Sequence, residues 1–144
     1  MSEHISPQGS APAFELDSRL ETESVLVANL GLCQLRLRND ARWPWLLLIP
    51  MRPGIEEPHD LTPLDQALLS FETNLVSKAL KDMTGCTKIN VGALGNIVRQ
   101  LHVHVIARNE GDLCWPGPVW GFGERVPYQP DELARLVAEI RNHL

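Results

Sequence analysis

The sequence predicts an α+β domain, with about five mostly antiparallel strands, one long central helix and a helix closing the chain. Three observations carry that expectation. Several short segments are apolar or alternate apolar with polar, the period-2 pattern of strands. Two longer stretches instead repeat their apolar residues at helical spacing. The joins between neighbouring strand candidates are short, which suits antiparallel pairing better than the long crossovers of a parallel sheet.

Residues 1–13 are polar and rich in Pro, Gly and Ser, and read as a flexible tail ahead of a single domain over residues 14–144. Leu16 to Glu23 fits a short helix. Three strand candidates follow, "SVLVANL", "CQLRLRN" and "WLLLIPM". In the second, Leu35 and Leu37 alternate with Gln34, Arg36 and Arg38. "NDARWP", before the third, has the Asn, Asp and Pro of a connection.

The clearest helix starts at Thr62-Pro63, an N-cap followed by a proline at the first helical position, with Asp65 three residues after the cap. Leu64, Leu68, Phe71, Leu75, Ala79 and Leu80 form its apolar stripe, and Gly85 is the stop signal. "TKINVGA" reads as a strand, "LGN" as a turn, and Ile97 to Arg108 as another strand. "LCWPGPVWGFG" holds too much Pro and Gly for regular structure. Pro130 to Leu144 closes the chain as a helix, with Leu133, Leu136, Val137, Ile140 and Leu144 on one side.

Bulk properties narrow the function. Hydrophobic residues make up 44% and charged ones 22%, the balance of a globular protein. A net charge of -5 argues against a general nucleic-acid binder, although backbone amides and an arginine or two can still hold a small anion. Cys33, Cys86 and Cys114 lack both disulfide-framework and zinc-site spacing and read as reduced thiols. No leader pattern opens the sequence, and "WLLLIPM" is too short to span a bilayer, so no membrane role and a cytoplasmic location are expected. P-loop and GxGxxG fingerprints are missing.

The stretch "RQLHVHVIARN" carries the chemistry. As a strand it places Leu101, Val103 and Val105 on one face and Gln100, His102 and His104 on the other. Three readings fit that spacing alone: a partly exposed polar face, a metal-binding pair, or a catalytic pair. Zinc wants three or four protein ligands, and no further Cys or His lies nearby in sequence. Neutral imidazole is both a nucleophile and a proton carrier near pH 7. The preceding "VGALGN" can present Gly95 and Asn96 amides to an anion. His4 and His143 lie near the termini, and His59, Arg52 and Arg99 fit solvent-exposed or structural roles. Trp115 and Trp120 are expected in packing rather than base stacking.

"NVGALGNIVRQLHVHVIAR" resembles the signature of the histidine-triad (HIT) family. "PMRPGIEEPHDLTPLDQ" is similar to the fragile-histidine-triad branch of dinucleoside polyphosphate hydrolases, and "DLCWPGPVWG" to bacterial members. The resemblance implies a HIT fold, a homodimer, and a metal- and cofactor-free hydrolysis of a nucleotide through a nucleotidyl-histidine intermediate. It makes His102 the nucleophile, supported by a backbone carbonyl, and His104 the residue at the phosphate and leaving group. It assigns ribose contact to Asn39, with Asp40 as the alternative, and phosphate contacts to Asn90, Asn96 and the Ile97 backbone. The expected substrate is a diadenosine polyphosphate. A phosphoramidate or adenylyl-amino acid, or a nucleotide sensor with little turnover, remain alternatives. Two departures stand out. Gln100 replaces the first triad histidine, and Trp45 stands where relatives place a histidine partner.

Overall fold

The computed structural model describes residues 12–144, so all but the last two residues of the expected tail lie outside the described part. Helix α1 (Ser18–Glu23) leads into strands β1 (Ser24–Asn29), β2 (Cys33–Arg38) and β3 (Trp45–Pro50). Then come α2 (Pro63–Thr84), β4 (Lys88–Gly92), β5 (Val103–Arg108) and α3 (Pro130–Asn142). All four strand pairings are antiparallel, in the order β1-β2-β3-β5-β4. This is the expected α+β architecture.

Strand alternation divides the interior in two. Leu35, Leu37, Leu46, Leu48, Val103 and Val105 pack under α2 and α3. Trp43, Trp45, Leu47, Ile49 and Ile106 form a second cluster on the opposite face, closed by Leu20 and Val119. His104 follows Val103 and therefore shares that second face.

Three element readings need correction. Helix α1 starts at Ser18 rather than Leu16, because the Asp17 carboxylate caps it by accepting the Arg19 N–H. Strand β5 starts at Val103 rather than Ile97. Its ladder partners end at Leu48, opposite Val103, and at Gly92, opposite His104, so residues 97–102 run free of the sheet. α3 ends at Asn142, leaving Leu144 exposed.

The caps of α2 are as expected: the Thr62 hydroxyl accepts the Asp65 N–H, and Gly85 takes a left-handed φ of 65°. Its buried face matches in part, with Ala79 and Leu80 buried and Leu68 packed on the core. Leu69, Glu72, Val76, Ala79 and Leu80 point inward, while Leu64, Phe71 and Leu75 are 72%, 63% and 40% exposed. Glu72 sets this rotation. Its carboxylate accepts the Leu32 and Cys33 N–H groups at 2.8 and 2.9 Å, satisfying the β1–β2 turn from below. A Cβ on Gly31 would stand 3.2 Å from Glu72 Oε2, so the small residue makes room for the carboxylate. The expected stripe therefore straddles the boundary, with Leu68, Ala79 and Leu80 toward the core and Leu64, Phe71 and Leu75 outward. Among the described residues, no helix is long and apolar enough to cross a membrane.

Candidate active site

A cavity of about 450 Å³ opens where the end of α1, the loop at 94–98 and the start of β5 meet. His102, His104, Arg38, Arg19 and Trp120 line it, together with the loop from Leu94 to Val98.

His102 sits one residue before β5 and is buried. Its Nδ1 donates to the Gln100 backbone carbonyl at 2.7 Å. That bond fixes the tautomer, leaving the Nε2 lone pair free for attack, and the carbonyl dipole can stabilise positive charge growing on the ring. His104, two residues on, has its ring 4.9 Å from that of His102. The Trp45 indole N–H donates to His104 Nδ1 at 2.9 Å, so the neutral ring carries its proton on Nε2. Trp45 and Trp120 box the ring at 5.6 and 5.5 Å. Burial first, then the His102 and Arg38 charges, push the His104 pKa from 6.5 down to about 3.

Guanidinium and backbone groups surround the pair. Arg38 lies over the Trp45 ring at 4.6 Å, pairs with Glu23 at 3.2 Å, and keeps a buried Nε with no hydrogen-bond acceptor among the described residues. Arg19 braces the loop by donating to the Ile97 carbonyl at 3.3 Å. Gly95, with φ of 70°, turns the loop so that its backbone lines the cavity beside Asn96 and Ile97. The Ile97 side chain is 82% exposed, leaving the backbone as its contribution. The buried Trp120 indole N–H also lacks an acceptor among the described residues.

Several sequence-derived site residues sit elsewhere. The Gln100 amide does not meet Trp45 or the cavity. It accepts the Asp17 N–H and donates to the Glu15 carbonyl, both at 2.8 Å, so the side chain clamps the leading segment while its backbone serves His102. Asn39 accepts the Tyr128 N–H at 2.8 Å and does not line the cavity. Asp40 is fully buried and held by Arg42 at 2.8 Å. Burial opposes its charge, but the Arg42 hydrogen bonds hold its carboxyl below the usual range. Asn90 accepts from Arg108 at 3.3 Å instead of reaching the cavity, because Arg108 is buried and anchors the following loop through Asp112 and the Gly117 carbonyl.

Among the other residues weighed, Arg52 pairs with Asp65, His59 is exposed, and Arg99 lines a separate hollow with Glu56 and Glu57. Trp115 packs with Arg108, and Trp120 packs on the second core cluster as expected while its ring also forms part of the cavity wall. Arg38 is a cavity residue that the sequence reading passes over. The signal was present, since the β2 alternation puts it on the histidine face. Among the described residues no group of three or more His, Cys, Asp or Glu side chains is placed to hold a metal ion.

Two imidazoles with assigned tautomers, a glycine-turned loop beside them and a five-stranded antiparallel sheet together define a class. The chain belongs to the histidine-triad (HIT) family, whose HIT domain model matches residues 19–111. It is similar to a histidine triad protein from Sinorhizobium meliloti, with 61% identity over 91% of this chain and 97% of that one, at a TM-score of 0.89. Histidine triad proteins from Bradyrhizobium japonicum and Marinobacter aquaeolei are 43% and 40% identical, each over 92% of this chain. They cover 98% and 97% of their own chains at TM-scores of 0.89 and 0.90. No curated protein matches the chain.

Proposed function

We propose that this protein is a nucleotide hydrolase that splits a nucleoside polyphosphate, such as a diadenosine polyphosphate, through a covalent nucleotidyl intermediate on His102. The observation that carries the reading is the 2.7 Å bond from His102 Nδ1 to the Gln100 carbonyl, at the edge of a cavity fit for an anion. His102 Nε2 attacks the α-phosphorus and the bond to the bridging oxygen breaks, its electron pair leaving with the departing phosphate. Water then attacks the same phosphorus, releasing one proton to solvent, and the phosphorus–nitrogen bond breaks to return the pair to Nε2. Arg38 and Arg19 offset the charge, and His104 Nε2–H donates to a phosphoryl oxygen. Because His102 leans on a backbone carbonyl, the change to glutamine at position 100 leaves that support in place.

The test is direct. Diadenosine polyphosphates are incubated with the protein, quenched into denaturant and followed by intact mass spectrometry. The expected result is turnover to a mononucleotide and an acid-labile adenylate adduct that His102→Ala lacks. Tight nucleotide binding with neither turnover nor adduct would instead support a sensor.

The proposal extends to a cytoplasmic location, supported by three unpaired cysteines among the described residues, and to a homodimer. The outward α2 residues Leu64, Phe71 and Leu75 support a second copy as partner. So do Val91 and Leu94, exposed on and just after the edge strand β4.

A further inference from the structure

We propose that Trp45 locks His104 as an uncharged hydrogen-bond donor, so that this site favours leaving groups that depart as stable anions. Polyphosphates are then cleaved efficiently and phosphoramidates slowly. The inference rests on the hydrolase reading above and narrows its substrate class.

The lock is geometric. An indole N–H can only donate, and it donates to His104 Nδ1 at 2.9 Å. A second proton on His104 would have to sit on that same nitrogen, setting two N–H groups head to head. Rotating the ring away is blocked by Trp45, Trp120 and His102, with centroids 5.6, 5.5 and 4.9 Å away. The charges facing the ring give no help. Arg38, from β2, and His102 both oppose a further positive charge. The nearby carboxylates, Glu23 and Asp40, lie on the Arg38 guanidinium at 3.2 and 3.7 Å. The β4 residue opposite His104 is Gly92, which brings no side chain. The depressed His104 pKa of about 3 agrees with the geometry.

A neutral imidazole can hold a phosphoryl oxygen through Nε2–H, but giving that proton away would leave an imidazolate. Departure therefore proceeds without proton transfer from His104. When the bridging P–O bond breaks, a polyphosphate keeps the electron pair as a stabilised anion. When a P–N bond breaks, the amine must gain a proton, and His104 does not provide one. Trp45 is thus a positioning residue that sets specificity through His104.

Three substrate types separate the outcomes: diadenosine tetraphosphate, adenosine phosphoramidates, and aryl esters of AMP running from nitrophenol to phenol. The expected wild-type result is a rate that falls steeply as the phenol becomes more basic. The anhydride should exceed the amidate by about a hundredfold or more, the scale on which general acids accelerate. Trp45→Phe removes the donor but keeps most of the ring. It should raise the amidate-to-anhydride ratio about tenfold and bring an acid limb into the pH profile, a part of what a general acid supplies. A flat aryl series, an amidate cleaved as fast as the anhydride, or an unchanged ratio in folded Trp45→Phe overturns the proposal. Should Trp45→Phe fail to fold, the wild-type aryl series decides alone. Absence of turnover on all three substrate types overturns the hydrolase reading itself.

Discussion

His104 shows what a single buried imidazole does to the molecule as well as to substrate. Its folded pKa of about 3 lies below its ordinary 6.5, so the unfolded chain takes up this proton first as pH falls. The group is neutral in stability above about pH 7. Below that it destabilises the fold progressively until the folded pKa is reached. Urea midpoints between pH 7 and 5 should therefore fall for the wild type and fall less for His104→Gln. Equal slopes would show that the ring protonates in the folded state. The histidines' common face was legible from alternation alone, because period-2 geometry is local. The Trp45–His104 bond was not, since it joins residues 59 apart through a strand register that no local pattern encodes. Asn39 and Asn90 show the converse. Their types suit a ligand, but Tyr128 and Arg108 already use their oxygens.

At the scale of elements, α2 was legible in its ends and only in part in its face, where Leu68, Ala79 and Leu80 meet the core but Leu64, Phe71 and Leu75 do not. Thr62, Pro63 and Gly85 announce caps whose chemistry is local, whereas the helix rotation depends on Glu72 reaching the β1–β2 turn. Glu72→Ala leaves the Leu32 and Cys33 N–H groups buried without an acceptor. We expect a loss of about 3 kcal/mol, since each orphaned donor costs about 1–3 kcal/mol. Chemical denaturation measures it, and a loss under 1 kcal/mol would mean that water replaces the carboxylate. The late start of β5 has a similar origin. Residues 97–102 keep a strand-like alternation, yet partner strands stop at Val103 and His104, and the Leu101 N–H bonds the Ile55 carbonyl instead. That early stop releases His102 from the ladder and frees its ring to take the carbonyl two residues back.

The whole molecule follows the sequence closely in class, strand count and antiparallel pairing, because short joins and alternation restrict the sheet to few arrangements. It leaves one apolar face unpartnered, and that face is the ground for expecting two copies. Phe71→Glu should convert a dimer to a monomer in sedimentation velocity while leaving the far-ultraviolet circular dichroism unchanged. A wild type that sediments as a monomer at micromolar concentration would remove the dimer from the proposal. The family match covers residues 19–111, yet the site draws on the chain beyond both limits. Gln100 binds the backbone at Glu15 and Asp17, and Trp120 closes the cavity from the other flank. The matched segment supplies both cavity imidazoles, while the flanks build part of the wall around them. A chimera that exchanged only that segment would carry the Trp45–His104 pair with it and keep the host's own Trp120 wall.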